Sequence, residues 1–77
     1  MDPQRHYRQD LNNHAIQAGL NLTYDETSSG PQNAVTWTVV AYIGGVEHGT
    51  GVSTSKGKAK EIAAYNAMVA LNLIRSN

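Results

Sequence analysis

The sequence predicts a two-layer α+β domain of order α-β-β-β-α, a three-stranded antiparallel sheet with two helices packed on one face. Three observations predict it. The tract Val35 to Ile43 is β-branched and aromatic, and its odd positions (Val35, Trp37, Val39, Ala41, Ile43) form an apolar stripe of period two. Gly44-Gly45 follows at once and suits a tight hairpin turn. Ala59, Ala63 and Ala67 recur every four residues, as on a helix whose small side chains let it lie close to a sheet. With 77 residues there is room for one small domain, expected over residues 4–74.

Each element has its own signal. Asp2-Pro3 is a candidate helix start, with Asp as N-cap and Pro at the first helical position. Leu11, Ala15 and Ala18 then mark one apolar face, and Gly19 is placed to end a helix over residues 4–18. Leu20 to Thr27 reads as a first strand, with Leu20, Leu22 and Tyr24 facing one way. Ser28 to Asn33 is a dense turn signal. Val35 to Ile43 is the second strand and Val46 to Val52 the third. Ser53-Thr54-Ser55 offers N-caps for a long helix over about residues 56–74. Trp37 and Tyr24 alternate with polar neighbours and read as core residues, not as stacking platforms.

The totals exclude several classes of chemistry. Hydrophobic content of 40% fits a folded soluble domain. There is no cysteine, hence no disulfide staple and no thiolate metal site. No apolar run approaches the ~20 residues of a membrane span, so no membrane partner is expected. The N-terminus lacks the apolar core of a signal peptide, which points to the cytoplasm or nucleus, and Asn21-Leu22-Thr23 is then a chance sequon. His6, Asp10 and His14 have a spacing that can hold a metal, but nothing else supports one. Asp25 and Glu26 are adjacent on a strand and face opposite ways, so they are not a catalytic pair. No phosphate-loop, nucleophile-elbow or zincin motif is present, and neither catalysis nor a cofactor is expected.

Charge is neutral in sum and uneven in place. Six basic and six acidic residues cancel, yet Lys56, Lys58 and Lys60 fall within five positions at the start of the second helix. A helix N-terminus presents free N–H groups and a partial positive charge, and lysines there should attract phosphates. That combination points to nucleic acid.

These pieces together resemble the double-stranded RNA-binding domain family, over roughly residues 7 to 73. The matching pieces are Leu11-Asn12-Asn13 through Gly19-Leu20, Gly30-Pro31, and Trp37-Thr38-Val39, with Trp where the family usually has Phe. Gly45, Gly49-Thr50-Gly51, Ser55-Lys56, Ala59-Lys60 and Ala63-Ala64 complete the set, in order and at the family's spacing. The resemblance implies a clamp along A-form RNA, touching two minor grooves and the phosphates between. It implies three contact regions. The first is helix 1, where Gln9, Asn12 and Asn13 share a face and offer amides to ribose hydroxyls. The second is the loop Pro31, Gln32 and Asn33, with Asn33 where the family usually has His. The third is Ser55, Lys56, Lys58 and Lys60. The family's middle lysine falls at Gly57 here, and Lys58 stands one position later. Gly49 and Gly51 are expected to shape the approach of strand 3 to helix 2.

Two functions of different class follow. One is a non-catalytic module that binds double-stranded RNA by shape and phosphate. The other is a protein-interaction module on the same fold, binding itself or another protein through strand 3 or helix 2. Zero net charge, Gly57 and Asn33 favour the second, as does a C-terminal apolar run (Met68, Val69, Leu71, Leu73, Ile74) that exceeds one core face. A third reading is a targeting domain cut from a larger enzyme.

Overall fold

The computed structural model of the chain describes residues 6–75. The elements are α1 (Tyr7–Ala18), β1 (Leu22–Ser29), β2 (Thr36–Ile43), β3 (Val46–Ser53) and α2 (Lys56–Ala70). The predicted α-β-β-β-α order is the observed one. The strands form one antiparallel sheet in the order β1-β2-β3. Gly44 and Gly45 both have positive φ, at 59° and 79°, which builds a two-residue hairpin whose twist matches the strands.

The sheet register decides which side chains face the helices. Leu22, Tyr24, Glu26 and Ser28 of β1 lie opposite Ile43, Ala41, Val39 and Trp37 of β2. Val39 and Ala41 in turn lie opposite Gly51 and Gly49 of β3. Opposed residues share a face. Val39, Ala41 and Ile43 are buried, so this is the face under the helices. α2 crosses it on Ala59, Ala63, Ala64 and Ala67, all fully buried. Gly49 and Gly51 are where the helix comes closest. A Cβ on Gly51 would meet the Ala59 carbonyl and lie 2.6 Å from the Ala63 nitrogen; one on Gly49 would meet the Ala63 carbonyl and the Ala67 nitrogen. α1 adds Tyr7, Leu11 and Ala15 to the core. The Tyr7 and Tyr65 rings meet edge to face at 5.0 Å, joining the two helices.

Several boundaries differ from the sequence reading. His6 is the N-cap of α1 with non-helical dihedrals, so the helix starts at Tyr7; Asp2-Pro3 lies outside the described residues. Ala18 is exposed, and Tyr7 takes its place on the buried stripe, one turn before Leu11. β1 is shifted by two residues, leaving Leu20 outside it and bringing in Ser28 and Ser29, whose partners are Trp37 and Thr36. Pairing to the long β2 overrides the turn chemistry of the serines. α2 stops at Ala70, four residues short of the expected 74. Asn72 takes positive φ (59°), Asn72 N–H donates to the Val69 carbonyl and Leu73 N–H to the Met68 carbonyl. That is a Schellman closure with Asn in the left-handed position. It turns Leu71 and Ile74 back onto the core, where they are partly buried with Met68 beneath. Most of the apolar C-terminal run is therefore spent inside the domain, and only Leu73 of it is an exposed large apolar residue.

Candidate nucleic-acid interface

Lys56 and Lys60 stand one turn apart at the start of α2 and point over the β1 side of the sheet. The Lys60 ammonium sits 4.9 Å above the Tyr24 ring and the Lys56 ammonium 5.1 Å above the Trp37 ring. Both are within cation–π range. Tyr24 and Trp37 are half-buried members of the core edge, as expected, and also serve as seats for the two lysines. Between the rings stands Glu26. Its two oxygens divide between the ammoniums, Oε1 at 3.6 Å from Lys56 Nζ and Oε2 at 3.0 Å from Lys60 Nζ. The hydrogen bond from Lys60 holds the Glu26 carboxyl below its ordinary value, with the charges of both lysines acting the same way.

Lys58 points elsewhere. Its side chain is exposed, and among the described residues it makes no ion pair. Its backbone N–H is taken by the Ser55 hydroxyl at 3.4 Å, which makes Ser55 the N-cap of α2. Ser53 Oγ in turn accepts from Ser55 N–H at 3.2 Å. The predicted helix-start site is thus two compensated lysines on the sheet side, one free lysine outside, and a serine engaged in capping.

α1 is locked beside this turn by a residue of α2. Glu61 accepts from the Arg8 backbone N–H at 3.0 Å and from Arg8 Nε at 2.9 Å. The first contact satisfies one of the free donors at the start of α1; the second is an ion pair. The result is an open groove lined by Arg8, Gln9, Asn12, Leu22, Tyr24 and Lys60. Two of the three helix-1 amides, Gln9 and Asn12, therefore share a surface with Lys60. Asn13 is exposed but does not line the groove. Among the described residues the buried Tyr24 hydroxyl has no hydrogen-bond partner, and burial pushes it above its ordinary value.

The loop between β1 and β2 carries Pro31, Gln32 and Asn33, all exposed. Ala34 N–H donates to the Pro31 carbonyl at 2.9 Å and closes a turn across them. Gly30 permits it, with φ of 94° and no room for a Cβ against the Ala34 carbonyl. The loop leaves the sheet one residue pair beyond the Ser28–Trp37 pair, next to the Lys56 seat. The helix-1 groove, Lys60, Lys56 and the loop thus follow one another along the β1 edge.

Sequence reasoning missed Glu26, Arg8 and the second role of the two aromatics. A signal for Glu26 existed: the period-two stripe of Leu22 and Tyr24, carried one step further, puts a carboxylate on the helix face.

The sequence model of the family described as the double-stranded RNA binding motif matches residues 7–71. No curated protein matches the chain. The family match spans all five elements and every side chain of the edge just described, and on that ground the chain belongs to the double-stranded RNA-binding motif family.

Proposed function

We propose that the chain is a non-catalytic module that binds double-stranded RNA by shape and phosphate backbone, largely independent of sequence. The observation that carries the reading is the alignment of amides, lysines and an exposed loop along one edge of the domain. Amides suit ribose hydroxyls in a shallow minor groove, and lysines at a helix start suit phosphates. As a reader of duplex RNA, the chain would work in the cytoplasm or nucleus.

The test is a titration of a duplex RNA of about 20 base pairs, beside matched duplex DNA and single-stranded RNA, at low and moderate salt. Salt-sensitive binding to duplex RNA alone is expected. Lys56→Gln with Lys60→Gln should abolish most of it and flatten the salt slope. A double variant that binds like the parent would sink the assignment of these lysines.

One observation favours a second reading, a protein-interaction module on the same fold. The carboxylate of Glu26 cancels part of the charge that RNA would use. No binding to any of the three nucleic acids by a folded sample would select that reading.

A further inference from the structure

We infer that Glu26 sets the affinity of the interface: its carboxylate occupies the place of a phosphate between Lys56 and Lys60, and duplex RNA gains both lysines only by displacing it. The inference rests on the RNA-binding reading and names a control built into that site.

Geometry supports it first. Glu26 stands opposite Val39, on the face the helices cover, at the outer edge of the sheet. A carboxylate there needs cationic partners, and it finds two, one for each oxygen. A phosphate between the same ammoniums would make the same pair of charge-assisted contacts. Each ammonium is already seated on a ring, so exchange of anions requires no movement of the lysine stems. Access supports it next. The side chains of Lys56, Lys60 and Glu26 are 52%, 29% and 26% exposed, so solvent and a ligand can reach them. Charge completes the case. The three lysines of the helix start carry +3, and Glu26 reduces this to +2, all of the loss falling on the two lysines that face the sheet edge.

Exposed ion pairs are weak, so the carboxylate tunes binding and does not block it. Removing two such pairs corresponds to a gain of roughly 2- to 30-fold in affinity. Asp25 provides the control: it is the adjacent carboxylate, exposed, and on the opposite face of the strand. Asp25→Asn and Glu26→Gln change net charge equally.

The experiment measures the dissociation constant of an RNA duplex of about 20 base pairs, close to the length such a domain spans. The proteins are the parent, Glu26→Gln, Asp25→Asn, Lys60→Gln and the Glu26→Gln/Lys60→Gln pair. Circular dichroism confirms that each is folded. Glu26→Gln is expected to bind several-fold tighter, Asp25→Asn to stay within about twofold of the parent at ~0.15 M salt, and the Glu26→Gln gain to shrink in the Lys60→Gln background. A folded Glu26→Gln that binds no tighter than the parent overturns the inference and leaves RNA binding standing. So does a gain matched by Asp25→Asn. Failure of both parent and Glu26→Gln to bind duplex RNA overturns the RNA-binding reading, and the inference with it.

Discussion

Gly51 and Gly49 lie under α2 where a single methyl would strike helix backbone. Backbone cannot rotate away as a side chain tip can, so the helix would have to lift. Gly51→Ala should cost about 2–3 kcal/mol, lowering the thermal midpoint by about 10–20 °C, read by circular dichroism. A midpoint within about 2 °C of the parent would show that the seam can open freely. Their structural role was legible, because glycines that alternate on a strand beside an alanine ladder mark a close approach of two backbones. Glu26 was not legible in the same way. Strand alternation separates it from Asp25, but only the register with β2 and the rotation of α2 decide that it meets two lysines. Its carboxyl is held below the ordinary 4.5 in the folded chain. Its stabilising contribution is therefore fully present above that ordinary value and is lost as pH falls through the depressed one. Thermal midpoints between pH 7 and pH 3 should fall less for Glu26→Gln than for the parent; equal losses would refute the linkage.

At the scale of elements, the helix ends carry contacts of their own beside the apolar faces that form the core. Ser55 caps α2 through the Lys58 N–H, and Ser55→Ala should cost about 1 kcal/mol. Glu61 gives α1 a cap from another helix, so its removal reaches two elements at once. Glu61→Ala should lower the midpoint and also weaken RNA binding, since the groove between α1 and Lys60 depends on their alignment; Glu61→Gln should restore part of the first. Loss of stability with unchanged affinity would confine Glu61 to a structural role. The end of α2 was misread because apolar content continues past Ala70. The stop comes from Asn72 adopting a left-handed conformation, which Asn tolerates and pattern does not announce. Asn72→Gly should be neutral or slightly stabilising, whereas Asn72→Val should cost about 1–2 kcal/mol in chemical denaturation.

For the molecule as a whole, the open edge of β3 is the feature that bears on self-association. The hairpin fixes Ile43 and Val46 as a hydrogen-bonded pair, and alternation along β2 then turns the backbone groups of Thr50 outward. Asn66 of α2 donates to that Thr50 carbonyl at 2.7 Å, and the register slips at His48, between the pairs Ala41–Gly49 and Tyr42–Glu47. A filled carbonyl and a bulge are devices that discourage a second strand from pairing. The parent is therefore expected to be monomeric by light scattering at high concentration, and a mass that rises with concentration would return strand 3 to consideration as a docking edge. The domain is also thin, 17 Å along its shortest axis against 40 Å along its longest. Among the described residues, Leu11 and Val39 are the large side chains that are fully buried, with Tyr7, Ile43 and Met68 nearly so, and where α2 comes closest to the sheet the seam is alanine on glycine. Alanine and glycine have no rotamers to freeze, so closing this seam carries almost no side-chain entropy. The same smallness limits the apolar surface hidden from water, and with it the heat-capacity change of unfolding. The stability curve of the domain should accordingly be shallow and broad, changing little across ordinary temperatures while its maximum stays low.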